Sequence, residues 1–310
     1  MKKPVCPIIV RAYNEEKHIG RLMQGILEQT IKSVQVILVD SGSTDKTREI
    51  AAQYPVEIVQ IRPQDFTFGR SLNLGISHAE ADLIVMASAH VYPVYPDWLE
   101  TLLASFENEK MGLSYGKQRG GETTHFSEKQ IFLNLYPDQS VTGQNHPFCN
   151  NANAAIRRSL WEQHAYDENL TGLEDLEWGK WAQEQGFGIS YCADAEVIHV
   201  HNETLSGTFN RYKREAMAFK AIYPHENFRK RDLIRLFTQN VKSDWKEALR
   251  EGVFIKNWAK IIGFRWRQFF GTYRGYQQSG PLTWQLKKTF YYPRGSSDNG
   301  AVPRRRNVKP

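Results

Sequence analysis

Three groups of residues carry side chains suited to chemistry. Asp40 ends an apolar run, residues 34–38 plus Val39, and is followed by Ser41-Gly42-Ser43-Thr44-Asp45-Lys46-Thr47. An acid at the carboxyl end of a parallel strand points into the crevice where open α/β sheets bind ligands. Glu174 and Asp175 are adjacent carboxylates ahead of Leu176, Trp178, Gly179 and Trp181. Such a pair can do acid–base work or complement the dipole of a helix start, and the two roles are compatible. His199 and His201 fall on one face of a strand-like run, with Ile198 and Val200 on the other. Strand packing alone does not ask for two histidines on one side. Together with His90 they offer imidazoles, which suit Mn²⁺ and similar ions better than Mg²⁺.

The elements that must position these groups alternate. Residues 7–10 read as a strand, followed by a helix from about Lys17 with apolar Ile19, Leu22, Met23, Ile26 and Leu27 at helical spacing. Residues 34–38 form a second strand, with helical turns from Arg48. Residues 57–61 form a third strand and 82–87 a fourth, which ends at Ser88-Ala89-His90. Units of this length predict an α/β fold with a mostly parallel sheet flanked by helices. Ser43 or Thr44 is placed to cap the second helix, and Asp45 to complement its dipole.

In its motifs the chain resembles the family 2 glycosyltransferases, whose fold is GT-A, a Rossmann-like mixed sheet. The matching pieces are Ala12-Tyr13-Asn14-Glu15-Glu16, Val39-Asp40-Ser41-Gly42-Ser43-Thr44-Asp45 and Gly69-Arg70-Ser71-Leu72-Asn73-Leu74-Gly75. They continue with Asn151-Ala152-Asn153-Ala154-Ala155-Ile156-Arg157-Arg158 and Gly172-Leu173-Glu174-Asp175-Leu176-Glu177-Trp178. The five occur in the family's order over roughly residues 5 to 215. The resemblance implies inverting transfer of a sugar, a hexose or deoxyhexose, from a nucleotide-diphospho-sugar to a glycan or lipid-linked acceptor. It implies that Asp175 is the general base and that Glu174 orients the acceptor or its loop. It places Ala12, Tyr13, Asn14, Glu15, Asp40, Ser88, Gln118 and Asn153 around the donor.

The family's Asp-x-Asp, which binds a divalent metal, is replaced by Ser88-Ala89-His90. One reading keeps a metal (Mn or Mg) on His90 and His201, with His201 favoured over His199. The other holds the diphosphate without metal, through His90 and basic side chains such as those following at Arg211 and Lys213. The Gly116-Lys117-Gln118-Arg119 run and the His199-Val200-His201-Asn202 pattern are most similar to those of bacterial rhamnosyltransferases of surface-polysaccharide assembly. The alternatives are a degenerate GT-A binding protein and a sugar nucleotidyltransferase. The latter lacks its expected Gly-rich basic loop after the first strand.

Charge divides the chain. The 310 residues carry a net +6, yet residues 205–310 hold 23 Lys+Arg against 7 Asp+Glu, a balance of +16 that leaves −10 for the rest. We expect a catalytic domain over 1–205, a helical basic extension over 206–293 and a mobile tail over 294–310. Trp258, Phe264, Trp266, Phe269 and Phe270 interleave with Lys and Arg in the extension. That pattern suits either an anionic membrane surface or a helical cap on the acidic domain. Nucleic acid is not expected, since no recognition motif is present. No apolar stretch reaches eighteen residues, and the run after Met1-Lys2-Lys3 breaks at Arg11. The three widely spaced cysteines read as reduced thiols. From these features we expect a cytoplasmic protein, at most peripheral to the inner face of the plasma membrane.

Overall fold

The computed structural model describes residues 6–201, 203–278 and 283–291. Its strands are β1 (Cys6–Ala12), β2 (Val34–Asp40), β3 (Val56–Gln60), β4 (Leu83–Ser88), β5 (Val91–Pro93), β6 (Met111–Gly120), β7 (Asn153–Arg157) and β8 (Gly188–His199). The helices are α1 (Ile19–Leu27), α2 (Thr47–Ala51), α3 (Phe68–Ser77), α4 (Trp98–Ala104), α5 (Phe126–Leu135) and α6 (Arg158–Trp161). They continue with α7 (Glu174–Glu184), α8 (Leu205–Ile222), α9 (Lys230–Arg250), α10 (Phe254–Tyr276) and α11 (Trp284–Tyr291).

One eight-stranded sheet orders these strands β3-β2-β1-β4-β7-β6-β8-β5. The β3-β2-β1-β4 half is parallel, β7 runs antiparallel to both neighbours, and β6 and β8 pair in parallel. The fold is mixed α/β and mostly parallel, as expected. The inner parallel strands are covered on both faces, which is why they read as unbroken apolar runs. Alternation still sorts their side chains: Ile9, Ile37 and Met86 enter one core with α3 and α7, while Ile8, Val10, Leu38 and Val85 enter the other with α1 and α4. Leu27 departs from its expected place in α1 and is exposed.

The chain proceeds outward from β1 to β2 and β3, then returns to place β4 on the other side of β1. Ligands bind outside the carboxyl ends of strands at such a reversal. Register aligns Ala12 with Asp40 and Arg11 with Ser88, so the expected site residues come from one row across three strands.

The extension is helical. Helices α9 and α10 form a hairpin around Val241, Ala248 and Ile261. Arg265 of α10 makes a buried two-pronged ion pair with Asp244 of α9, at 2.7 and 2.8 Å, and also donates to Ser127 O on α5 at 3.3 Å. Helix α10 lies against α8 at Gly271 and Gly275. A Cβ on Gly271 would stand 2.6 Å from Phe209 O, and one on Gly275 would strike Lys213 O. Of the five aromatics expected at a surface, Phe264 and Phe269 are buried in this packing, whereas Trp258 and Trp266 are exposed. Aromatic rings this large are drawn inward wherever the helix faces a partner. The expected tail lies outside the described residues.

Candidate active site

The β1–α1 and β2–α2 turns lock together. Asn14 has φ +55, a left-handed conformation that Asn tolerates. Its N–H donates to Ser43 Oγ (2.9 Å) and its Oδ1 accepts from Thr44 N (2.8 Å). Ser43 and Thr44 therefore tie two loops together instead of capping α2. Asp45 accepts from Thr47 N (3.0 Å) at the start of α2 and from Glu16 N (3.1 Å). Asp40 is buried at its strand end; its carboxylate accepts from Gly42 N and Ser43 N, with Arg48 Nε 3.8 Å away. It shapes its own turn as well as facing the strand ends. Ala12 offers its carbonyl to Ser41 N at 3.0 Å, and Tyr13 beside it is partly exposed.

Three histidines converge beside these turns. The available ring nitrogens of His90, His199 and His201 all lie within 4.8 Å of one another, and His199 Nε2 stands 3.1 Å from His201 Nε2. The three Nδ1 atoms each meet an oxygen at 2.7 Å: Glu15 Oε1 for His90, Gln118 Oε1 for His199 and Glu128 Oε1 for His201. That outer shell fixes which nitrogen of each ring carries the proton and presents three Nε2 atoms inward. Ser88 Oγ stands 3.2 Å from His90 Nε2. Two ligand nitrogens at right angles on an ion, each with a bond of about 2.1 Å, lie about 3 Å apart. The residues present therefore fit a divalent ion of the class that accepts imidazole. His199, set second to His201 on sequence grounds, stands in the cluster equally.

Electrostatics separate the three rings. Burial, then the charges of His201 and His90, hold His199 well below the ordinary histidine range, so it is a neutral donor of its lone pair. Burial opposes the charged form of His90, but Glu15 outweighs it and the net shift is upward. Burial likewise opposes Glu128, yet Arg211 and His201 hold its carboxyl down at about 2. Arg211 donates to both Glu128 and Glu203.

Across the crevice, Glu174 and Asp175 open α7. Leu173 precedes them at φ +57. Arg11 of β1 donates to Glu174 Oε1 at 2.9 Å. Asp175 accepts from Asn151 N (3.1 Å) and Leu176 N (2.8 Å). Burial first, and the adjacent Glu174 second, push the Asp175 carboxyl up to about 7. Arg11, which holds Glu174, is in register with Ser88, two residues before His90, so the acid pair and the histidines stand at neighbouring strand ends.

Two expected donor residues sit elsewhere. Gln118 is fully buried behind His199. Asn153 is also fully buried; it accepts from Trp98 Nε1 and donates to Ala195 O and Lys117 O. Asn153 satisfies its amide on internal partners and braces the fold, whereas Gln118 gives Oε1 to His199 and leaves Nε2 buried without a partner. Conversely, Glu128 and Arg11 escape the sequence reading. Arg11 left a trace, as the one charge in an otherwise apolar strand; Glu128 left none.

The profile described as "Glycosyl transferase family 2" matches residues 8–164, just over half of the chain. This chain belongs to glycosyl transferase family 2. The O-antigen chain rhamnosyltransferase WbaN of Salmonella anatum is 29% identical over 228 residues, covering 67% of this chain and 70% of that protein. RfbN of Salmonella typhimurium, of the same description, is 27% identical over 218 residues, 66% and 69% of the two chains. The mannosyltransferase PcManGT of Pyrobaculum calidifontis, solved with GDP-Man and Mn²⁺, superposes with a TM-score of 0.60 at 17% identity, over 88% of this chain and 86% of that one. Staphylococcus aureus TarS 1–349 does so at 0.52 and 16%, over 88% and 91%. The architecture is thus the GT-A fold, and the enzyme is a glycosyltransferase similar to the O-antigen rhamnosyltransferases. Among the described residues no helix is long and apolar enough to cross a membrane.

Proposed function

We propose that this transferase moves a hexose or deoxyhexose, of the rhamnose type, from a nucleoside-diphospho-sugar to a hydroxyl of a growing surface glycan, with inversion. The supporting observation is the shared crevice: three inward Nε2 atoms and Asp40 on one side, the Asp175 carboxylate on the other. The nucleoside seats on the Tyr13–Glu15 segment and Asp40. His90, His199 and His201 would hold a divalent ion, which when bound would offset the charge of the diphosphate. The acceptor oxygen forms the new bond to the anomeric carbon as the bond to the diphosphate oxygen breaks. The hydroxyl proton passes to Asp175, whose raised affinity for a proton suits a base working near neutral pH. Glu174, held by Arg11, fixes the start of α7. The exposed apolar and basic face of the α9–α10 hairpin brings the enzyme to an anionic membrane surface, where a lipid-linked acceptor resides.

A thermal-shift screen of nucleoside-diphospho-sugars, with and without Mn²⁺, tests this reading. A ligand at 100 times its Kd stabilises the folded state by about 2.7 kcal/mol. One base–sugar combination is expected to stand out, more strongly with Mn²⁺. A flat screen under both conditions overturns the proposal.

A further inference from the structure

We propose that the site of His90, His199 and His201 selects nitrogen-seeking ions of the Zn²⁺ and Co²⁺ class over Mn²⁺ and does not retain Mg²⁺, and that Ser88 sets this choice. The inference deepens the reading, made above, that these three histidines hold a divalent ion.

The ligand shell is all nitrogen. Among the described residues the group able to hold an ion is these three imidazoles, and no carboxylate belongs to it. His199 Nε2 and His201 Nε2 are 3.1 Å apart. Carboxylates are near, but each stands one layer further out. Glu15 Oε1 meets His90 Nδ1 and Glu128 Oε1 meets His201 Nδ1, both at 2.7 Å. Arg211 engages Glu128 as well and also holds Glu203. The acids therefore raise the basicity of the imidazoles instead of binding the ion themselves.

Ser88 occupies the place from which an anionic oxygen would reach the ion. It ends β4, and its N–H donates to Ala152 O at 3.1 Å, which fixes the strand end. Its Oγ lies 3.2 Å from His90 Nε2. A hydroxyl there is a neutral, weak ligand; an Asp would bring a charged one to the same nitrogen.

This donor set decides which ion stays. Carboxylate and water oxygens suit Mg²⁺ and Mn²⁺, whereas affinity for nitrogen sites rises from Mn²⁺ to Co²⁺ and stays high at Zn²⁺. Mg²⁺ dehydrates reluctantly and is bound through carboxylates. A shell without carboxylates thus lacks what retains Mg²⁺ and keeps what retains Zn²⁺. Three protein nitrogens with a further position open form the pattern of a Zn²⁺ site that accepts an outside ligand. A neutral shell also leaves the double charge of the ion undiminished for the diphosphate oxygens.

Calorimetry on the metal-depleted full chain with Zn²⁺, Co²⁺, Mn²⁺ and Mg²⁺, together with the visible absorption of the Co²⁺ form, tests this. Zn²⁺ and Co²⁺ are expected to bind about tenfold more tightly than Mn²⁺, or better, and Mg²⁺ to give no heat of binding. The Co²⁺ form should show the strong visible bands of a four- or five-coordinate shell, where a six-coordinate oxygen shell gives faint ones. His90→Ala should weaken Zn²⁺ binding about tenfold or more and bleach those bands. If that variant does not fold, His201→Gln carries the same test. His225→Gln, at an exposed histidine outside the cluster, should change neither reading. Ser88→Asp should narrow the ratio of Zn²⁺ to Mn²⁺ affinity about tenfold. Mn²⁺ binding as tightly as Zn²⁺ in wild type overturns the selectivity, and an unchanged ratio in Ser88→Asp overturns the role of Ser88. Zn²⁺ affinity that survives in His90→Ala or His201→Gln puts the ion elsewhere and overturns the whole. If ions bind the histidines without preference, this inference fails alone. If no ion binds, the metal reading fails with it, and sugar transfer still stands or falls by the nucleotide-sugar screen.

Discussion

The acid pair offers a quantitative test through Glu174→Gln. Asp175 is held up at about 7 by burial first and the Glu174 charge second. The substitution removes that like charge, and it also leaves the Arg11 charge without its neutralising carboxylate, so that the cation favours ionised Asp175 more strongly. Both effects have the same sign. A charge at this range is worth about 1–2 pKa units. The remaining neighbours, Tyr136, Cys149 and Tyr166, are uncharged near neutral pH because burial pushes each well up. The acidic limb of the kcat profile should therefore move from near 7 to about 5.5. With the limb near 7 roughly 9% of the base is ionised at pH 6; with the limb near 5.5 it is roughly 76%, a gain of about eightfold. The assay is kcat at saturating donor from pH 5 to 9. Any loss of acceptor positioning lowers the plateau, but only the base moves the limb. A limb that stays near 7, or rises, refutes the electrostatic reasoning and the assignment of Asp175 to that limb.

Asp175→Asn should cut transfer by about 10² to 10⁴ while nucleotide affinity holds, and near-normal turnover in the purified variant would remove Asp175 from its role. The same variant makes a stability prediction: a carboxyl raised from 3.8 to about 7 contributes stability below about 4 that is lost as pH rises through 7. Asn cannot ionise, so its melting temperature should gain on wild type between pH 5 and 8, a trend that differential scanning would show or deny. Asp40→Ala loses a charge-assisted contact worth about 1.5–3 kcal/mol, and calorimetry should find donor affinity reduced more than kcat. Glu128→Gln leaves His201 without its anionic partner and should weaken Mn²⁺ or Co²⁺ binding about 10- to 100-fold; an unchanged metal titration would free Glu128 from the site. Replacing Ile255 and Trp258, 89% and 48% exposed, with Ser should release the protein from anionic vesicles at low salt, and equal flotation would return these residues to an idle surface.

The strands β1 to β4 were legible because burial on both faces writes itself as consecutive apolar residues, and the polar residues at their ends marked the crevice. The first half of β8 was not foreseen, since its partner β6 is remote in sequence and its own pattern, Gly-Ile-Ser-Tyr-Cys-Ala-Asp, lacks such a run. Asp40, Glu15 and the histidines announced themselves by position within motifs. Glu128 could not: its partners His201 and Arg211 stand 73 and 83 residues away, and a lone Glu in a helix looks like any solvated one. Gln118 and Asn153, both fully buried, show the opposite difficulty. An amide near a motif has the same letters whether it faces a ligand or an internal carbonyl, and only packing tells the two apart.

The contact of α8 with Gly271 and Gly275 bears on how this enzyme could be recombined with its relatives. Two missing Cβ atoms let α10 press against the backbone of α8, which carries Arg211 to Glu128 beside the histidines and Arg214 over the Phe68 ring. The arginine that braces the histidine cluster is thus mounted on a rod whose seat is moulded by a segment some sixty residues further on. A crossover placed between α8 and α10 would join a rod to a foreign seat and shift that brace. Breakpoints before Thr204 keep rod and seat together, so chimeras cut there should retain a working geometry where those cut near residue 225 do not.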